Sequence, residues 1–346
     1  MQIRRITRIA VFTAVILVLF YFIPKVPVEA DSGYRQIMGT FARVVVIAPN
    51  TSIAEDCIEE AFEQLRNIEK TMSFHDVDSE LSRVNRLAYS EPVKISKNLF
   101  DLLERSIYFS ELSGGAFDVT VGPLVDLWHI SGDTNVPPTP EQIDSAREKI
   151  GYQKLLLDSD NRTVQFAQEG MKIDLGGIAK GYAVDRAVKA MKFAGAFGGM
   201  VDLGGNIRCF GIPAGKKSKW LIGLQDPNTD NLQFTSGKLI LKLEIPDRAI
   251  ATSGDYRRFT VIEGQKHSHI IDTAQGQSSS KLSSVTIIAA DAADADALST
   301  AVSILGEKKG IELIEALEDI EAVLITPAPE YRQILTGGAD RYIYKP

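Results

Sequence analysis

Lys172-Ile-Asp-Leu-Gly-Gly-Ile-Ala-Lys-Gly-Tyr-Ala-Val-Asp185 is the stretch whose reading decides the fold. Ile173 and Leu175 close a short strand, Gly176 and Gly177 make a turn, and Val184, Ala187, Val188 and Met191 recur at the spacing of one helical face. A strand feeding a glycine turn and then a helix points unpaired backbone N–H groups, and the positive end of the helix dipole, at whatever occupies the turn. Such a turn is a seat for phosphate, and Lys180 in the first helical turn adds a charge. An isolated Gly-Gly is more often an ordinary tight turn, and neither a Walker-type Gly-Lys-Ser/Thr nor a dinucleotide glycine spacing is present. The rest of the chain has to decide between the two.

Downstream, Val201 to Gly211 is a strand broken by a second pair, Gly204-Gly205, which permits either close approach of a ligand to the backbone or a bulge. Trp220 to Leu224 is a strand, and Ala249 to Tyr256 leads into a hairpin with Glu263-Gly264 in its turn, returning through His267-Ser268-His269-Ile270-Ile271-Asp272. After a strand from Ser284 to Ala290, a helix of small apolar residues carries Asp296 and Thr300 at i and i+4, on one face. A carboxylate and a hydroxyl so placed are hard oxygen ligands suited to Mg2+, although aspartates in an alanine-rich helix are usually solvated. A last helix and a strand from Ala322 to Thr326 follow.

Upstream, Met38-Gly39-Thr40 opens a strand from Phe41 to Ala48. Ser52 and Glu55 are spaced as a capping box for a helix with Ala54, Cys57, Ile58, Ala61, Phe62, Leu65 and Ile68 on one face. The helix ends in a polar loop with Phe74 and His75, a ring that either stacks on a flat ligand or is simply solvated. Further helices start after Ser96 and at Thr139-Pro140, and strands near Lys154 to Leu157 and Thr163 to Phe166 flank a turn. Asp118, between Phe117 and Val119, is a buried carboxylate in need of a partner or a cap for the next helix. Hairpins and amphipathic helices without regular βαβ alternation indicate an α+β fold of mixed, largely antiparallel sheets with packed helices.

Arg4, Arg5 and Arg8 precede an uncharged apolar run from Ile9 to Ile23, and Val28-Glu29-Ala30 offers small residues two apart. Residues 1–30 are therefore expected to be a signal peptide, cleaved after Ala30, or a retained membrane anchor, and the protein to be exported to the periplasmic or extracytoplasmic face of the membrane. Residues 31–346 form the working domain, long enough for a large core. A net charge of -7 gives no general attraction to nucleic acid or anionic lipid. Two cysteines, Cys57 on a helix and Cys209 in a strand, are too few for a cysteine metal site and are expected as buried thiols.

The blocks Met38-Gly39-Thr40, Asp78 to Asn85, Gly115-Ala116-Phe117-Asp118, Asp174 to Gly181, Gly204-Gly205-Asn206, Thr252-Ser253-Gly254-Asp255-Tyr256 and Ala295 to Ala301 occur in this order along nearly the whole domain. In order and spacing the chain resembles the ApbE family, flavin transferases that move FMN from FAD onto a threonine or serine of a partner protein. The resemblance implies two lobes with FAD between them. It implies that Asp296 and Thr300, with a backbone carbonyl at Gly177, hold Mg2+, and that His269 is the base for the acceptor hydroxyl. Met38, His75, Asp118, Lys180, Ser253 and Asp255 would line the site of FAD, the substrate. The acceptor implied is a flavoprotein subunit of a membrane redox or electron-transfer complex. Two departures stand out: Asp272 is followed by Thr273-Ala274-Gln275-Gly276 where the family usually has Pro-Arg-Thr-Gly, and Asp118 by Val119 where it usually has Pro. The missing arginine, and His75 where many members carry a tyrosine, bear on the balance between transfer and two alternatives: Mg2+-dependent hydrolysis of FAD to FMN and AMP, or FAD binding without turnover.

Overall fold

Val44, Val45, Val46 and Ile47 are all buried, and the reason is a sheet covered on both faces. The computed structural model describes residues 26–128, 136–213, 215, 218–227, 238–254, 259–262 and 265–345. Its largest sheet has eight strands: β1 (Val28–Ile37), β2 (Thr40–Ala48), β3 (Gly198–Leu203), β4 (Asn206–Phe210), β5 (Ala249–Gly254), β6 (Ser284–Ala289), β7 (Glu321–Ile325) and β8 (Gln333–Leu335). They lie side by side in chain order, and every neighbouring pair is antiparallel. Eight helices are described: α1 (Thr51–Met72), α2 (Glu80–Leu87), α3 (Lys97–Leu112), α4 (Gly122–Trp128), α5 (Pro140–Arg147), α6 (Ala179–Phe193), α7 (Ala292–Leu305) and α8 (Glu307–Glu315).

Because strand side chains alternate, Ala42, Val44, Val46 and Ala48 join the core under α1, α6 and α7. Val45 and Ile47 point the other way, to Trp220, Ile222, Leu224, Leu243 and Ile245 of the strand pair Trp220–Gln225 and Leu239–Ile245. A third, smaller apolar cluster joins Leu124 and Trp128 of α4 to Ala146, Ile262 and Ile271. The architecture is the α+β arrangement expected, mixed helices with largely antiparallel sheets. Both cysteines are free and buried, and burial pushes both thiols up.

Several local expectations are corrected. Ile173 to Leu175 is not a strand: Lys172 makes an isolated parallel bridge to Val121, and the Asn85 side chain takes both backbone groups of Ile173, at 2.9 and 2.7 Å. An amide side chain thus does the work of a neighbouring strand, which no periodicity reports. Val201 to Gly211 is not one broken strand but a hairpin, with Gly204 and Gly205 at φ +60° and +89° in its two-residue turn. The return of the later hairpin stops at Ser268, and Ile271–Asp272 pairs instead with Gln277–Ser278. β1 has too little apolar alternation to be read as a strand, yet it pairs along β2 through a turn at Met38 and Gly39, both at positive φ. Residues 1–25 of the expected export segment lie outside the described residues, whereas Val28, Glu29 and Ala30 are already paired with Ala48, Ile47 and Val46.

The cap of α1 is Asn50, whose side chain accepts from the Ile53 N–H at 3.0 Å, and not a Ser52–Glu55 box. Asn50→Ala is expected to lower stability by about 1 kcal/mol, read as a shifted denaturant midpoint at unchanged slope. An unchanged midpoint would mean that the cap contributes nothing.

Candidate active site

Gly181 fixes how α6 meets α7. A Cβ there would lie 2.1 Å from the Ala292 carbonyl oxygen and 2.8 Å from the Ala293 Cα, so only glycine lets the helices approach this closely. The approach lets the Gly181 N–H donate to Asp296 Oδ2 at 3.0 Å. Asp185, one turn on, accepts from the Ala292 and Ala293 N–H groups, both at 2.9 Å, and so caps α7 from outside it. Arg208 of β4 closes the corner through ion pairs with Asp185 at 2.6 Å and with Asp291. Gly181→Ala is expected to cost several kcal/mol, visible as a fall in Tm; a fall within 1 °C of zero would show that the backbones part freely.

The helix held in this way carries Asp296 and Thr300. Asp296 is 3% exposed. Burial raises its carboxyl above the ordinary range, while Lys180, the Gly181 N–H and a hydrogen bond from the Asn206 side chain pull it back. The Lys180 Nζ lies 3.8 Å from Asp296 Oδ1 and donates to the Gly176 carbonyl at 2.9 Å. Gly177 abuts Thr300, since a Cβ on Gly177 would lie 3.1 Å from Thr300 Oγ1 and 3.2 Å from the Phe117 ring. Gly177, Lys180, Asp296 and Thr300 are therefore brought into one place.

Of the other expected site residues, Ser253 and His75 adjoin these elements. Ser253 of β5 shares a hydrogen bond with Ser299 of α7 at 2.7 Å, between Asp296 and Thr300 in sequence. His75 faces Asp174 electrostatically and packs edge-on against Phe74. Burial raises the Asp174 carboxyl, and the Gly176 N–H, His75 and Lys180 pull it back. Met38 stands at the β1–β2 turn, its N–H donating to Glu69 at 2.7 Å, and Thr40 beside it packs on Gly204. Asp118 gives both oxygens to the chain itself: Oδ1 accepts from the Thr120 N–H and hydroxyl, and Oδ2 from the Tyr152 N–H. Its carboxylate orders a loop, with burial raising it and those donors lowering it. His269 is exposed on a bend after Ser268. The segment after it is tied to α7 by Ser279 and Lys281, which donate to the Ser303 and Ile304 carbonyls, and to the Gly115 carbonyl by Thr273. Asp255 lies outside the described residues.

Asn206, Asp174 and Asp185 belong to this constellation and were not singled out from sequence, although each stands inside a quoted block. Asn206 is 3% exposed and its Oδ1 has no partner, a buried acceptor beside a buried carboxylate. Among the described residues no group of three His, Cys, Asp or Glu is placed to hold a metal. One carboxylate, one hydroxyl and backbone oxygen fit a hard cation that keeps waters and takes further ligands from phosphate, which is Mg2+ chemistry.

The chain belongs to the ApbE family, whose model matches residues 38–324. An FAD:protein FMN transferase of Treponema pallidum is 34% identical over 319 residues, 88% of this chain and 87% of the relative. One of Vibrio cholerae is 34% identical over 255 residues, 73% of this chain and 74% of the relative. Among solved structures, the ApbE protein of Thermotoga maritima superposes with a TM-score of 0.81 at 32% identity, covering 92% of this chain and all of that one. The flavin transferase ApbE of Vibrio cholerae gives 0.80 at 29%, covering 91% and 99%.

Proposed function

We propose that the protein is an FAD:protein FMN transferase: it moves the FMN moiety of FAD to a threonine or serine hydroxyl of a partner protein and releases AMP. The observation that carries this is the packing of the Gly176-Gly177 turn and Lys180 against Asp296 and Thr300, in a chain whose full-length relatives bear that name. Gly177, Asp296 and Thr300 would hold Mg2+, which neutralises charge on the diphosphate oxygens. Lys180 adds a positive charge beside them. The Asn206 amide and the Gly181 N–H hold the Asp296 carboxylate in place. Met38, His75, Asp174, Ser253 and Asp255 would line the flavin nucleotide, and Asp118 orders its own loop through Thr120 and Tyr152. The acceptor oxygen forms a bond to the FMN phosphorus as the anhydride P–O bond to AMP breaks. His269 takes the acceptor proton, since imidazole is the side chain suited to proton transfer near neutrality.

Arg4, Arg5 and Arg8 ahead of the apolar run from Ile9 to Ile23 support export from the cytoplasm with that run kept as an anchor, and on this reading the acceptor is a flavoprotein subunit of a membrane redox complex. AMP release from FAD, followed with and without an acceptor peptide, tests the reaction: release that needs the acceptor is transfer, and release that ignores it is hydrolysis.

Burial of Asp296 has a stability signature. A carboxyl whose native pKa is raised binds its proton more tightly folded than unfolded, so its contribution falls as pH rises from the ordinary carboxylate range through the raised native value, and is a fixed penalty above. A cation at the site removes that penalty. At neutral pH, Mg2+ is expected to raise the Tm of the wild type, while Asp296→Asn is at least as stable without metal and gains nothing from it. An equal Mg2+ shift in both proteins would place the metal elsewhere.

A further inference from the structure

Where α6 ends and β3 begins, beside the ends of β2 and β4, stand three exposed aromatic or aliphatic side chains, Phe193, Phe197 and Ile212, at 96%, 59% and 62% exposure. They share one edge. The Phe197 N–H donates to the Ile47 carbonyl at 2.8 Å, and a Cβ on Gly211 would lie 2.2 Å from the Phe197 carbonyl oxygen, so Ile212 follows directly beside it. The Ala196 N–H donates to the Met191 carbonyl, which folds the end of α6 with Phe193 onto the same edge. Single exposed apolar residues need no explanation, but a cluster does.

The N-terminal segment enters at this edge. Val28 pairs with Ala48, next to Ile47, and Val26 is 83% exposed. Only Pro24 and Lys25 separate Val26 from the apolar run that ends at Ile23. Three chain steps span at most about 10 Å, so if that run sits in a bilayer, the edge cannot stand away from it.

We propose that this edge is a membrane-contact surface: Phe193, Phe197 and Ile212 enter the boundary between headgroups and acyl chains of the bilayer that holds the N-terminal run. The inference rests on the reading of that run as a retained anchor. The exposed Lys189 and Lys192 flank the patch and suit anionic headgroups, Lys192 also reaching Asp247 at 3.5 Å. The 15 residues of α6 run from this edge toward the Gly177 turn, about 22 Å at helical rise. The catalytic end is thereby held above the membrane, and the acceptor hydroxyl must be presented at that height.

The test uses the full chain in phosphatidylethanolamine–phosphatidylglycerol vesicles, with a fluorescent probe on Phe197→Cys or, at the other end of α1, on Val77→Cys, which is 70% exposed. The native cysteines are buried and stay unlabelled. A quencher attached to the lipid acyl chain is expected to quench the probe at 197 several-fold more than the probe at 77, and adding Phe193→Ser and Ile212→Ser should remove most of that difference. Equal quenching at both positions in vesicle-bound protein overturns the surface alone. Shielding of 197 from aqueous iodide without lipid quenching also overturns it and means that protein covers the edge. Failure of the chain to sediment with vesicles overturns both the surface and the anchor.

Discussion

Asp296→Ala is expected to lower Mg2+-dependent AMP release from FAD by roughly a thousandfold or more, because in the proposed mechanism the carboxylate is the anionic ligand of a site that works by charge neutralisation. Among the described residues no group of three His, Cys, Asp or Glu is placed to hold a metal in its stead. Its 3% exposure and its bonds to the Gly181 N–H and the Asn206 side chain hold the carboxylate in one orientation. Alanine also strips the Gly181 N–H of its acceptor, and Asp296→Asn separates that loss from loss of charge: both variants should be inactive, with asparagine the better folded. Release at the wild-type rate with the same Mg2+ dependence in either variant would refute the ligand assignment.

His269→Ala is expected to reduce transfer by about a hundredfold to ten-thousandfold while leaving FAD affinity unchanged, the range that removal of a general base gives. The residue stands on an exposed bend, so in the proposed mechanism its loss removes the proton acceptor. Flavin fluorescence titration reads the affinity, and acceptor labelling reads the transfer. Equal labelling rates in variant and wild type would end the role of base, and a matching loss of FAD affinity would make His269 a binding residue instead.

The helices were legible in the sequence because their apolar faces repeat at 3.6 residues: Val184, Ala187, Val188 and Met191 of α6 are all buried, as are Ala54, Cys57, Ile58, Ala61, Phe62, Leu65 and Ile68 of α1. The i and i+4 spacing put Asp296 and Thr300 on one helix face, but the packing of Gly177 against Thr300 is a tertiary contact that spacing alone does not give. What stayed hidden is carried by single polar side chains acting on distant backbone. Asn85 stands in for a strand beside Ile173, Asp185 caps a helix more than a hundred residues away, and Asn206 supports Asp296 from another layer. None of these leaves a periodic trace. β1 escaped for a related reason: it is an edge strand whose side chains alternate mostly between half-buried and exposed, so its pairing with β2 shows only in the backbone.

The measurement that bears most directly on the account is the mass of a supplied acceptor, an Asp-Gly-Ala-Thr-containing peptide or flavoprotein subunit, after incubation with the protein, FAD and Mg2+. The account predicts a gain equal to one FMN joined as a phosphoester, with AMP released in equal amount and neither product formed by Asp296→Ala. AMP and free FMN beside acceptors that all remain unmodified would contradict it, and would make the protein an FAD hydrolase.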